Sequence, residues 1–327
     1  MDYTFEEGYC KFVELLNKMI ISSMRIGVAV SGGADSILML HFAERYRREF
    51  PNKIIYFIII HIIDGHHIID ESLKLYIFKT KTLIEELQIR YGSEVVICEN
   101  NDVSIFYQGL SIEEACHKLR KKYFKQLIVE KKLDKILVAH TEDDQIEHFF
   151  IALARKSSVQ RLSGMDEATD AYIRPLLYMN KKNIRDVLLQ SHLKFYDDPC
   201  NERISYLRNN IRRAIVSQLD NVDNRLRKNI LAVMRRIKSC DQYIDQVVDH
   251  FFINDTMMFD ITFFLEQKEV GQYKILEKIL LKQFGMLMQE SFYFECVRFL
   301  KAKKSMSHVV GKIVIKKKKN NFFLVEK

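Results

Sequence analysis

The chain has 327 residues and a mass of 38.8 kDa, with 48% hydrophobic and 29% charged residues. These proportions are ordinary for a folded protein of about two domains, and they exclude a disordered chain, a collagen and a coiled coil. The longest apolar stretch, residues 54–63, is about half the length of a membrane helix, and the acidic N-terminus is unlike a signal peptide, so we expect a cytoplasmic protein. Six scattered cysteines without a CxxC pair argue against a zinc site, an iron–sulfur cluster or a disulfide framework.

From residue 24 onward, short apolar runs alternate with stretches of helical periodicity. The apolar runs predict strands over residues 26–30, 53–61, 94–98 and 135–139. The stretches between and after them predict helices over residues 35–50, 71–90, 111–131 and 143–154. Continuous apolar strands are typical of a parallel sheet that is covered on both faces. Four such repeats predict an α/β domain with a doubly wound parallel sheet.

The strand rhythm ends after residue 154, and the chain is predicted to be mainly helical from about residue 221. A terminal hairpin is predicted over residues 311–325. We therefore predict a first domain at residues 1–217 and a smaller, mainly helical domain at residues 218–327. Ser111 and Glu114 have the spacing of a capping box, which is a structural feature.

The net charge of +8 is concentrated in two short blocks. Residues 203–238 and residues 301–327 each carry a net charge of +8, whereas residues 1–202 carry −3 and residues 239–300 carry −5. A solvated helix face is one explanation of such a block. Two basic blocks that flank an acidic segment favour a polyanionic partner.

The loop between the first predicted strand and helix is the most informative segment. It consists of Ser31, Gly32, Gly33, Ala34, Asp35 and Ser36. Two glycines let the backbone turn tightly, so that main-chain N–H groups and the positive end of the helix face a phosphate. The loop is neither a Walker A motif nor a GxGxxG fingerprint. Asp35 suits a phosphate site if Mg²⁺ accompanies the phosphates, and the alternative is a plain glycine-rich turn with a capping side chain.

This SGGADS loop resembles the SGGxDS loop of the PP-loop family, the N-type ATP pyrophosphatases, which cleave ATP to AMP and pyrophosphate. Later segments resemble, in chain order, the motifs of one branch of that family, the tRNA(Ile)-lysidine synthetases. Residues 114–120 are similar to EAARxxR, residues 139–147 to AHHxDDQxET, residues 174–177 to RPLL, residues 198–201 to DPSN and residues 207–212 to RNxIR. The resemblance extends from about residue 25 to residue 213, and its specificity lies in the series.

The resemblance implies a sheet of the adenine nucleotide alpha hydrolase-like type and a reaction on one tRNA base. Such enzymes use ATP to adenylate the C2 oxygen of the wobble cytidine, position 34, of a tRNA(Ile) with a CAU anticodon. The amine of free L-lysine then displaces AMP and gives lysidine. Such an enzyme needs extended contacts with the tRNA phosphates, while the reacting base is splayed out of the anticodon loop into a pocket. The two basic blocks agree with this need. The oligomeric state stays open.

The resemblance also identifies candidate site residues. Asp35 and Asp144 are expected to hold Mg²⁺ on the ATP phosphates, although an acidic residue also favours a helix N-terminus without any ligand. Arg120 is expected to contact a phosphate, and His140 to position the nucleotide or transfer a proton. A surface cation and a histidine satisfied by the backbone are the alternatives. Three arginines on a predicted helix, the last two near one face and the first a turn behind, are expected to contact tRNA: Arg208, Arg212 and Arg213.

The sequence departs from these motifs at several positions, and three other functions stay open. Residues 62–67 stand where the resembled enzymes have VDHGLR, Thr141 replaces the second His of AHHxDDQ, and His117 replaces the first Arg of EAARxxR.

A cytidine-thiolating PP-loop enzyme would need cysteines for sulfur delivery. A non-catalytic RNA-binding protein with a decayed nucleotide site is allowed by the altered residues 62–67. An amide ligase for a small metabolite is disfavoured by the basic blocks.

Overall fold

The structure is a computed structural model that describes residues 4–63, 73–99, 112–155, 159–202, 207–249, 258–286, 288, 290–302 and 306–327. The chain divides into two compact units. The first unit comprises Met1–Arg155 and Gly164–Leu231, and the second comprises Lys156–Ser163 and Ala232–Lys327. No helix in these described ranges is both long and apolar enough to span a membrane.

The first unit contains a five-stranded, wholly parallel sheet in the order β3-β2-β1-β4-β5. The strands are β1 (Met24–Ala29), β2 (Ile54–Ile63), β3 (Glu94–Glu99), β4 (Lys135–Leu137) and β5 (Tyr172–Ile173). This arrangement confirms the predicted doubly wound α/β fold and its first four strands. The strand order reverses between β1 and β4, so the carboxyl ends of these two strands flank the switch point where open α/β sheets bind ligands.

Thirteen α-helices accompany the strands in the described residues. They are α1 (Phe5–Met19), α2 (Ala34–Glu49), α3 (Lys74–Tyr91), α4 (Ile112–Glu130), α5 (Glu142–Ala154), α6 (Val159–Leu162), α7 (Lys181–Gln190), α8 (Leu207–Ala214), α9 (Leu219–Val222), α10 (Leu226–Asp249), α11 (Ile261–Glu266), α12 (Glu269–Phe284) and α13 (Glu290–Lys301). Helices α2 to α5 confirm the four predicted helices. The predicted capping box lies outside this description, because Ser111 and the side chain of Glu114 are not covered.

Successive strand residues point to opposite faces of the sheet, and helices cover both faces. On one face, Ile59 packs with Phe12 of α1 and Phe42 of α2. On the other face, Ile58 and its neighbour Ile60 pack with residues of α4. Complete burial of each such side chain contributes about 1.5–3 kcal/mol to folding, and it holds the carboxyl edge of the sheet in place.

The second unit contains an antiparallel four-stranded sheet in the order β6-β9-β8-β7, together with helices α11 to α13. Its strands are β6 (Phe259–Asp260), β7 (Ser307–Val310), β8 (Ile313–Lys318) and β9 (Asn321–Glu326). The pairing of β8 with β9 confirms the predicted terminal hairpin. The prediction of a mainly helical second part is correct for the long helices, but the sheet extends beyond the hairpin to β6 and β7.

Candidate functional site

A cavity of about 740 Å³ lies at the carboxyl ends of β1 and β4, within the first unit. Its walls come from the loop after β1, from His140 beyond β4, and from the helices α4 and α8. Five of the six predicted loop residues line it: Ser31, Gly33, Ala34, Asp35 and Ser36. The cavity therefore occupies the switch point of the sheet, where the sequence predicted a phosphate site.

The loop after β1 is held by its own serines. The Ser36 hydroxyl donates to the Gly33 carbonyl at 2.9 Å, and the main-chain N–H of Ser31 donates to the Ser36 hydroxyl at 3.1 Å. Helix α2 starts directly after Gly33, which offers its first turn no side-chain acceptor. An anion in the cavity would take that role, because the first N–H groups of a helix have no partner within the helix.

Gly32 is required by both backbone conformation and space. Its φ is +91°, and a Cβ atom would lie 2.5 Å from the Thr80 Cγ2 atom. We expect Gly32→Ala to lower the free energy of unfolding by about 2–4 kcal/mol, because strain and the steric clash add. The matched control is Gly92→Ala, since Gly92 also has a positive φ, +61°, but open space around the added Cβ. Urea unfolding of both variants checks this prediction, which is contradicted if Gly32→Ala costs no more than the control.

Asp35 is the carboxylate that the loop presents to the cavity. Its side chain is 26% exposed, and the Lys181 Nζ atom lies 3.9 Å from its Oδ2 atom. Burial raises the pKa of Asp35 to about 6, and the nearby carboxylates of Asp144 and Asp143 add to this rise, although Lys181 opposes it. A second positive charge beside Asp35 would stabilise its ionised form.

Asp144 is also at the site, but its oxygens are already engaged. Its Oδ2 atom accepts hydrogen bonds from the main-chain N–H and the hydroxyl of Thr141. The main-chain N–H of Asp144 in turn donates to the Thr141 hydroxyl at 3.4 Å, which completes a capping box at the start of α5. Its Oδ1 atom lies 2.7 Å from Arg208 and 3.5 Å from Lys181. Burial alone would raise the pKa of Asp144, but the charges of Lys181 and Arg208 lower it below its ordinary value.

The two aspartates differ in how well they suit Mg²⁺. The described residues contain no cluster of three or more His, Cys, Asp or Glu side chains that could hold a metal. A Mg²⁺ ion on ATP needs only one or two carboxylates besides phosphate oxygens and water. Asp35 fits this requirement, because it faces the cavity and the positive charge beside it is too small to stabilise its ionised form fully. Asp144 would have to exchange Arg208 or Lys181 for the ion.

Two of the predicted tRNA-binding arginines make internal ion pairs. Arg208 and Arg212 are one turn apart on α8, and both donate to the fully buried carboxylate of Glu147, at 2.8 and 2.5 Å. Arg213 is exposed. Arg208 lies one turn behind Arg212 on the same side of the helix, as expected, whereas Arg213 differs from Arg212 in being exposed.

The other two predicted residues line the cavity as well. Arg120 lies on α4, where its Nε atom donates to the Cys116 carbonyl at 3.4 Å. The Nδ1 atom of His140 lies 3.1 Å from the Nε atom of Arg174. Burial lowers the pKa of His140 to about 4, and the positive charge of Arg174 also lowers it, while Asp144 opposes this change.

The sequence reasoning missed several residues that line the cavity. Lys181 is the first residue of α7, and its ammonium group lies between the carboxylates of Asp35 and Asp144. Its main-chain N–H donates to Asp143 at 2.6 Å. Arg185 pairs with Asp197 through two hydrogen bonds of 2.6 and 3.0 Å. These residues lie between the matched motifs, and only the N-cap residue before Lys181 marks a helix start there.

The site combines a glycine-containing loop, the N-terminus of a helix and an adjacent carboxylate at the switch point of a parallel sheet. This combination defines a nucleotide-binding domain of the PP-loop class. The family model described as the PP-loop domain, an ATP-binding domain, matches residues 5–219. The chain therefore belongs to the PP-loop family.

Curated relatives carry a more specific name. The tRNA(Ile)-lysidine synthase of Clostridioides difficile is 28% identical over 250 residues, which are 74% of this chain and 52% of that protein. The tRNA(Ile)-lysidine synthase of Borrelia garinii is 24% identical over 318 residues, which are 96% of this chain and 67% of that protein. The chain thus spans about half to two thirds of the length of these relatives.

A solved structure has the same fold. The U34-tRNA thiolase NcsA from Methanococcus maripaludis superposes with a TM-score of 0.59 at 18% identity, over 71% of this chain and 78% of that one. At this identity the likeness concerns the fold alone.

Proposed function

We propose that this protein ligates lysine to C2 of the wobble cytidine, position 34, of a tRNA(Ile) with a CAU anticodon. In the first step the C2 oxygen attacks the α-phosphate of ATP, which gives an adenylated cytidine and releases pyrophosphate. In the second step the amine of free L-lysine attacks C2, AMP leaves, and lysidine remains in the tRNA. The observation that carries this proposal is the set of curated relatives named for this reaction, which match up to 96% of the chain.

The cavity offers groups that suit the first step. The loop and the start of α2 would bind the ATP phosphates, and Asp35 would hold the accompanying Mg²⁺. Mg²⁺ would supply charge stabilisation at the phosphate oxygens. Lys181 and Arg120 line the same cavity and would contact phosphate oxygens as the negative charge moves towards the leaving pyrophosphate. Asp144 would serve mainly to hold Lys181 in place.

The tRNA would be bound by surfaces outside the cavity. Arg213 is exposed, as are Lys228, Arg235 and Arg236 on α10. Arg208 and Arg212 would meet a tRNA phosphate only if their ion pairs with Asp144 and Glu147 were broken. We therefore assign them the role of neutralising these carboxylates. We retain residues 1–217 as the catalytic part and residues 218–327 as a tRNA-binding part.

The test is AMP release from ATP and Mg²⁺, with and without a CAU-anticodon tRNA(Ile) transcript and L-lysine. We expect AMP formation to require both the transcript and lysine, and lysine to remain on the RNA. A transcript with a GAU anticodon, which lacks the target cytidine, is the control. AMP formation that requires RNA but not lysine would contradict the assignment of the second substrate. Tight tRNA binding without AMP would indicate a non-catalytic protein.

A second candidate, cytidine thiolation, is favoured by one observation. Two cysteines, Cys116 and Cys200, line the cavity, although the sequence contains no CxxC pair. Mass spectrometry of nucleosides from the same reaction, supplied with lysine and a sulfide donor together, distinguishes the two functions. Sulfur in the cytidine would favour thiolation, and lysine in the cytidine would exclude it as the main activity.

A further inference from the structure

We propose that Arg174 is a positioning residue that holds His140 as the neutral tautomer protonated at Nε2. His140 then acts in the cavity as a hydrogen-bond donor and not as a general base.

The parallel sheet brings the two residues together. Leu137 of β4 pairs with Ile173 of β5, so the chain beyond each strand crosses the same edge of the sheet. Arg174 follows β5 directly, and His140 follows β4 after two further residues. The Arg174 Nε atom then lies 3.1 Å from the Nδ1 atom of His140.

The hydrogen-bonding capacity of arginine decides the tautomer. A guanidinium is always protonated in proteins, and its Nε–H group donates but never accepts. The Nδ1 atom of His140 must therefore accept, and a neutral imidazole that accepts at Nδ1 carries its proton at Nε2. A doubly protonated ring would place two donors against each other. The nitrogen that remains for a bound molecule is thus a donor.

Arg174 is itself fixed in place. Its Nη1 atom donates to the Asp166 carbonyl at 2.9 Å, and its main-chain N–H donates to the Glu167 carbonyl at 2.7 Å. Pro175 follows and restricts the backbone of Arg174 to extended conformations. The guanidinium therefore cannot follow a rotation of the imidazole without losing its own contacts.

The charges around His140 act in the same direction. Besides Arg174, the guanidinium groups of Arg120 and Arg208 disfavour a second proton on the ring, and Asp144 favours it. Burial acts with the arginines. The ring therefore stays neutral at physiological pH, and its Nε2–H group is available to an oxygen acceptor of the substrate. This last step, which concerns catalysis, rests on the proposed function.

The tautomer is measured directly by NMR on the full chain with ¹⁵N-labelled histidine. We expect the His140 resonances, identified by their absence in His140→Gln, to show an accepting Nδ1 and a protonated Nε2 from pH 6 to pH 8. Arg174→Met should shift the Nδ1 resonance and allow the second tautomer. Arg155→Met, which removes an exposed arginine, should leave the His140 signals unchanged.

Two NMR results would overturn the proposal. One is a wild-type His140 that is protonated at Nδ1 or is a mixture of tautomers, and this result needs no variant to fold. The other is an Arg174→Met spectrum with an unchanged Nδ1 resonance. Neither depends on catalysis, so they are separate from a failure of the proposed function.

Activity provides a further readout. His140→Gln keeps an N–H donor near the position of Nε2, whereas His140→Ala removes it. We expect kcat of His140→Gln to stay within about tenfold of the wild type, and that of His140→Ala to fall by about 10²–10³-fold, the usual effect of losing one donor to a developing charge. Equal losses in both variants, together with a pH profile of kcat that changes in each, would indicate a general base instead.

Discussion

Asp35→Asn should reduce AMP formation by at least about 10³-fold while raising thermal stability. The loss follows from the proposed role of Asp35, because a neutral amide would no longer attract a metal ion that accompanies the phosphates. The gain follows because burial raises the pKa of Asp35 to about 6. An acid whose pKa is higher in the folded state binds more protons there, so its contribution to stability falls as the pH rises from about 4 to about 6. Above pH 6 the native protein therefore carries a destabilising charge that the variant lacks.

We expect the melting temperature of Asp35→Asn at pH 8 to exceed that of the wild type by roughly 2–6 °C. The difference should shrink towards pH 4, where Asp35 is protonated in the native protein as well. Asp170→Asn, which changes an exposed carboxylate of the same unit, should alter neither activity nor melting temperature. Near-normal AMP formation by Asp35→Asn would show that Asp35 has no role in holding the metal.

Glu147→Gln should be strongly destabilising, because Glu147 is fully buried and pairs with two arginines. Its replacement leaves Arg208 and Arg212 close together without this compensating charge. Removal of one partner from a buried ion pair costs about 3–5 kcal/mol, and the partial exposure of both arginines places the expected loss near 3 kcal/mol. Urea unfolding measures the change in the free energy of unfolding.

A double-mutant cycle separates the ion pair from other effects. Combining Glu147→Gln with Arg212→Met should cost less than the sum of the single changes, since the second substitution removes a charge that the first left uncompensated. Glu85→Gln, in an exposed position on α3, is the matched control and should change stability by less than about 0.5 kcal/mol. Additive losses would mean that Glu147 and Arg212 do not stabilise each other.

The parts of the fold that the sequence predicted are those with local, repeated patterns. The apolar runs of β1 to β3 and the helices α2 to α5 are long enough to be recognised. Strand β5 has only two residues, and its place in the sheet comes from pairing with β4, which no local pattern records. Helix α1 was not predicted, although Tyr9, Phe12 and Leu16 have helical spacing and are buried.

The candidate site divides in the same way. The loop from Ser31 to Ser36 was predicted because its residues are contiguous and its glycines have a conformational meaning. The contact between Arg208 and Asp144 joins residues 64 positions apart, and nothing in the spacing of either motif identifies the partner. The sequence therefore predicts tRNA contacts for three arginines, whereas tertiary packing uses two of them, Arg208 and Arg212, to neutralise buried carboxylates.

The ion pairs between α5 and α8 have a consequence for synthesis on the ribosome. Asp144 and Glu147 emerge about 60 residues before the arginines that compensate them. A nascent chain that ends before α8 would have to bury two carboxylates without those partners, which is unfavourable. The nucleotide-binding part should therefore complete its folding only after α8 has left the exit tunnel, although every strand of its sheet is made earlier.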